Sequence, residues 1–144
     1  MFTIDLKKKS YEVKGNLRFA RDIETNLSTQ QDGINQLNGI ALLYMGLQSD
    51  SINALLNFLY YGIKASERPS MDIIEDSLDE MLAKDEDALE NLFLKAIGVL
   101  ETSGFFAKMK KMLMENLKND PNNKELAKQM EQKRKKAISL LSQS

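Results

Sequence analysis

The sequence predicts a mainly α-helical protein, a compact multi-helix bundle preceded by a small N-terminal β-hairpin. Three observations carry that prediction. Apolar and polar residues alternate between Phe2 and Val13 with the period of two that marks a strand pair. Beyond Gly15 apolar residues recur at three- and four-residue spacing, the period of a helix. Between those runs stand capping residues and turn formers, at Asn16, at Ser51 and at Pro69-Ser70. Hydrophobic residues make up 42% of the 144 and charged ones 28%, which suits one globular domain with a real core.

The hairpin is expected over residues 2–14, with Phe2, Ile4, Leu6, Tyr11 and Val13 on its buried face. Its connection, "KKKS", lacks the Asn-Gly or Asp-Gly of a tight turn. Asn16 then caps a helix carrying Leu17, Ala20, Ile23 and Leu27 along one side, with Phe19 beside them. "STQQDG" at residues 28–33 breaks it. A second helix is expected to follow at once, with Ile34, Leu37, Ile40, Ala41, Tyr44 and Leu47 on one side. "QSDS" at residues 48–51 is a short capped break.

The third helix, residues 52–65, is apolar nearly all round. Asn53, Asn57 and Lys64 form a narrow polar wedge; Leu55, Leu56, Phe58, Leu59, Tyr60, Tyr61 and Ile63 fill the rest. Such a helix is buried on several sides or lends a face to another protein. Leu55, Leu56, Leu59 and Ile63 are expected in the core. Phe58 and Tyr61 would back another helix or face a neighbouring copy.

Pro69 resets the chain and Ser70 caps a fourth helix. Met71, Ile74, Leu78, Met81 and Leu82 form its apolar stripe, and Asp72, Glu75, Asp76, Asp79 and Glu80 its acidic face. A fifth helix opens at Asp85 or Glu86, where acids favour a helix N-terminus. "TSG" at residues 102–104 is a kink or a stop. Beyond it Phe105, Phe106, Met109, Met112, Leu113 and Leu117 share one broad face, and Met114 falls opposite, among lysines. "NDPNN" reads as a linker, dividing a domain of residues 1–119 from a basic C-terminal segment, residues 120–144. The apolar stripe of that segment is thin, so it is expected to be mobile or ordered by a partner.

Composition closes off much chemistry. Without cysteine or histidine there is no thiolate, no imidazole base and no zinc ribbon, and no serine stands in a motif for nucleophilic catalysis. The seven glycines are scattered, so no phosphate loop exists. No apolar run reaches the roughly 18 residues of a membrane span, and "MFTIDLKKKS" has no signal core. A non-enzymatic cytoplasmic protein with no cofactor or metal and no membrane contact is expected. The acidic face could suggest a metal site, but it lacks the glycine bend and ligand spacing of a calcium loop. The plainer reading is a solvated face, free to dock a basic partner.

The net charge of −1 hides a division. Acids dominate from Glu67 to Glu90, opposed there only by Arg68 and Lys84, and lysines dominate from Lys108 to Lys136. That polarity suits charge-guided association, including of the chain with its own copies. The basic part also raises an alternative, a helical nucleic-acid-binding regulator. Against it, no aromatic lies beyond Phe106, and Glu115, Asp120, Glu125 and Glu131 dilute the patch, so no nucleic acid is expected. Eight methionines, with Met109, Met112 and Met114 bunched, suit either irregular core filling or an adaptable partner surface. Partner contact is the reading preferred for Met114, and Phe105 belongs to the same surface.

The order of the pieces resembles a known family. A strand pair "FTIDLKKKSYEV" leads into "GNLRFARDIE" and a "DGINQL" helix; the apolar "ALLNFLYYGIKA" is followed by "ERPSMDIIEDSLDEM" and "LENLFLKAI". Over residues 3–111 this is similar to the tail assembly chaperones of long-tailed phages and prophages of Gram-positive hosts. The proline-then-helix element at residues 69–82 is the most telling part, and nothing after Asn119 is matched. The resemblance implies a chaperone of the host cytoplasm that binds the tape measure protein and keeps it soluble. It also implies recruitment of tail tube protein, self-association into a homo-oligomer, and absence from the mature virion. Members often come in two lengths through ribosomal frameshifting, and this chain looks like the short product.

Overall fold

The computed structural model describes residues 1–142. Its N-terminal hairpin pairs β1 (Phe2–Leu6) with β2 (Lys9–Val13), antiparallel, with Ile4 opposite Tyr11 and Phe2 opposite Val13. The alternation buries Phe2, Ile4, Leu6, Tyr11 and Val13, as the spacing predicts. The tight turn is made by Lys7 and Lys8, both at positive φ (50° and 68°). That conformation is costly for a lysine, and Lys7 is tied there by an ion pair with Glu80. The hydrogen bond from Lys7 pulls the Glu80 carboxyl below its ordinary pKa, and the Lys7 ammonium rises in return.

Asn16 caps α1 (Leu17–Leu27), its side chain accepting from Phe19 N at 3.0 Å. Phe19, Ala20 and Ile23 turn inward, whereas Leu17 in the first turn is exposed. The next stretch departs from expectation. Residues 34–38 are not helical: β3 (Gln30–Gln31) and β4 (Ile34–Asn35) form a second hairpin around Asp32 and Gly33, at φ 53° and 78°. Asp-Gly is the pairing a two-residue turn favours, and here it outweighs the helical spacing of Ile34 and Leu37, both left exposed. Asn35 and Asn38 hold the loop. Leu37 N donates to Asn35 Oδ1 at 2.7 Å and Thr29 N to Asn38 Oδ1 at 2.9 Å.

Helix α2 therefore starts late (Gly39–Gln48) and buries Leu43, Tyr44 and Leu47. Ser51 caps α3 (Ile52–Gly62), which ends three residues short of the expected span, and Ser70 caps α4 (Met71–Lys84). "TSG" proves a stop: α5 (Ala88–Glu101) closes at Thr102 and α6 (Phe106–Lys118) begins afresh. "DPNN" forms a short 3₁₀ turn, Pro121–Asn123, that leads directly into α7 (Lys124–Ser142).

The core gathers round α3. Leu55, Phe58, Leu59 and Ile63 are fully buried, with the hairpin and α1 on one side. The Phe58 ring stacks on Phe2 (centroids 6.4 Å apart) and meets Phe19 edge-on at 5.5 Å, a geometry aromatic pairs favour. On the other flank α7 lies on α5, burying Met130 and Ala137. The expectation of a mobile or partner-ordered tail thus meets a helix docked on its own chain. The apolar stripe is thin, as the sequence indicates, but two features make up for it. At Gly98 a Cβ would come within 2.9 Å of Ala137 O and 3.3 Å of Leu141 Cβ, so glycine lets the two backbones approach. The second feature is polar.

Candidate functional site: an apolar trough beside a buried ion cluster

That polar feature centres on Glu101, whose side chain is 1% exposed. Lys110 of α6 and Arg134 of α7 both reach its Oε2, at 2.9 and 3.1 Å. The Tyr44 hydroxyl of α2 donates to Oε1 at 2.6 Å and accepts from Gln48 Nε2 at 3.0 Å. Lys133 extends the network to Gln48 O at 2.6 Å and Asp50 Oδ1 at 3.1 Å. Burial, aided by the Glu101 carboxylate, holds the Tyr44 phenol far above its ordinary pKa. A buried carboxylate needs its partners, and satisfying this one fixes α6 and α7 on α2 and α5.

Next to this cluster the molecule is open. A cavity of about 430 Å³ lies among α3, α5 and α7, lined by Ile52, Leu89, Phe93, Leu94 and Ile97, with Asp50, Glu90, Lys133 and Lys136 at its edges. A second, about 360 Å³, lies between α3, α4 and α5 and is lined by Ile52, Leu56, Leu78, Leu82 and Leu89, with Glu75 and Asp79. The two share Ile52 and Leu89. A third, a shallow and widely open depression of about 450 Å³, adds Leu140, Lys135 and Ser139 of α7 and shares Leu94 and Lys136 with the first. Together they make one apolar trough running from α4 across α3 and α5 to α7. Ile52 is 49% exposed on its wall and Leu82 36%. An exposed isoleucine and leucine, with half-buried Leu56, Leu89 and Leu94 between them, give the apolar surface that a site for an apolar helix requires.

The residues singled out from the sequence fall in different places. Phe58 backs other rings in the core and offers no surface. Tyr61 is half-buried beside Tyr60, with the Arg68 guanidinium 5.3 Å from its ring centre. Phe105 packs 6.3 Å from Phe19, and Met109 and Met114 are half-buried against the core. Met114 is covered because α6 is flanked by both α5 and α7, so its far side is not a free surface. Met112 alone of that bunch stands well exposed, at 59%. None of these six lines the trough.

The acidic face divides. Glu75 and Asp79 line the trough, while Glu80 turns to Lys7, whose charge Asp76 also feels. Asp72 stays exposed in the first turn of α4. Among the described residues no group of acids is gathered closely enough to hold a metal, and no helix is long and apolar enough to cross a membrane.

Sequence reasoning missed the trough because its walls come from four helices. The signal was present as apolar pairs four residues apart, Ile52/Leu56, Leu78/Leu82 and Leu89/Phe93, each one helical turn. Of these six, Leu56 is expected in the core from the sequence and the others only as apolar positions of their helices, and such spacing does not separate the wall of a groove from core.

Comparison with known families decides the relationship. The sequence profile of the phage tail assembly chaperone protein family, TAC, matches residues 3–115. The chain belongs to that family. The match spans the hairpin, α1 to α5 and most of α6, and so takes in the α3, α4 and α5 walls of the trough; α7 lies beyond it. No curated protein and no solved structure matches the chain.

Proposed function

We propose that this tail assembly chaperone binds the tape measure protein and keeps it soluble in the host cytoplasm until tail tube subunits are recruited. It acts by contact alone, with no reaction to catalyse, associates with its own copies and leaves before the virion is complete. The observation that carries this reading is the open trough through Ile52, Leu56, Leu82, Leu89 and Phe93. A tape measure protein is long and helical, and its apolar stripes need cover until the tail forms around it. A concave apolar path on a rigid bundle supplies that cover.

The nucleic-acid alternative draws less support, because Lys110, Lys133 and Arg134 are engaged with carboxylates of their own chain. Co-expression with a candidate tape measure protein tests the proposal. The wild type is expected to bring the client into the soluble fraction. The double variant Ile52→Glu/Leu82→Glu, at exposed positions, is expected to keep its helical circular dichroism and lose that effect. A folded double variant that still solubilises the client overturns the trough as the site. A client left insoluble by the wild type overturns the function.

A further inference from the structure

The trough is not electrically uniform. At its α4 end stand Glu75 and Asp79, and at its α7 end Lys135 and Lys136. Between the two ends Glu90 borders the first cavity, which Lys136 also reaches from the α7 end. None of these five side chains makes an ion pair or side-chain hydrogen bond within the described residues. Their neighbours behave differently: Glu80 is spent on Lys7, and Lys133 on Asp50 and Gln48. Both ends of an apolar path thus carry charges of opposite sign that the fold itself does not use.

We propose that the trough takes one amphipathic helix of a partner whose charge is polarised along its length. Its basic end sits on α4 and its acidic end against α7. The inference rests on the client-binding reading and refines it. The apolar stripe supplies affinity, and the terminal charges choose the partner segment and its direction. A helix of uniform charge meets repulsion at one end wherever it lies. The cationic end belongs to α7, outside the family-matched residues, so the directional element is supplied by the C-terminal part of this chain.

The test uses the full chain and labelled synthetic helices of about 18 residues, roughly five turns, followed by fluorescence anisotropy. One peptide carries a leucine stripe with lysines at one end and glutamates at the other. A second has the same composition with the charges alternating. The block-charged peptide is expected to bind about fivefold more tightly at low salt, a difference that shrinks as salt rises. Glu75→Lys/Asp79→Lys should abolish the preference. Adding Lys135→Glu/Lys136→Glu should restore it, because the peptide then seats the other way round. All four positions are exposed, and circular dichroism checks the fold.

Equal binding of both peptides, lost together in Ile52→Glu/Leu82→Glu, overturns the charge-graded partner and leaves the client-binding reading standing. Binding of neither peptide, while the wild type still solubilises the tape measure protein, also overturns the inference alone. A dimer in sedimentation that disappears in Ile52→Glu/Leu82→Glu, without peptide binding, makes a second copy the occupant and overturns it as well.

Discussion

The two sides of α3 are built from similar residues and end differently. Phe58 looks toward Phe2 and Phe19 and is closed off completely, whereas Leu56 and Ile52 look toward α4 and α5 and line open space. Apolar character is common to both sides, so hydrophobicity alone does not separate core from binding surface. Neighbours do. The hairpin and α1 bring aromatic rings that fill the space over Phe58, while Leu56 faces an open cavity lined by α4 and α5. A helix that is apolar all round can therefore hold the fold with one side and serve another chain with the other.

Substitution on the two sides should expose the contrast. Phe58→Ala removes a buried ring from an aromatic cluster and is expected to cost about 3–5 kcal/mol. Leu56→Ala, at a half-buried position, should cost about 1 kcal/mol and weaken client binding instead. Chemical denaturation of both variants checks this, and equal losses would mean the trough side is core too.

The ion cluster is the next largest effect. Glu101→Ala leaves Lys110 and Arg134 facing each other without their shared anion, both partly exposed. A loss of about 2–4 kcal/mol is expected. Its sharpest readout is faster proteolysis within α7, and an unchanged cleavage pattern would show that α7 is held by packing alone.

The smallest effect is expected at alkaline pH. The folded-state pKa of Tyr44 lies above its unfolded value near 10.0, so the protonated phenol favours the native state. That contribution is fully present below pH 10, and is lost as pH rises from there toward the folded pKa. Tyr44→Phe should flatten this alkaline decline in unfolding midpoint; a decline of the same slope in the variant would assign it to other groups.

Much of the fold was legible because local rules and tertiary structure agree. The period-two hairpin, the caps at Asn16, Ser51 and Ser70, and the amphipathic α4 all stand where spacing places them. At Asp32-Gly33 two local signals compete, helical spacing against turn chemistry, and the turn prevails because Asn35 and Asn38 satisfy its backbone. The docking of α7 was hidden for another reason. It depends on Gly98 lying opposite Ala137 and on Glu101 meeting Arg134, pairings between distant residues that no local period reports. The trough was hidden likewise, as its residues show one-turn spacing but not the gap they face.

The Glu101 carboxylate has one consequence for how the chain comes apart. A single anion touched by α2, α6 and α7 from its seat on α5 couples four helices through the same few atoms. Fraying of α6 or α7 strips the carboxylate of charge balance, and fraying of α2 strips it of a hydrogen bond. The C-terminal third is therefore expected to lose its order in one cooperative step rather than peel away helix by helix.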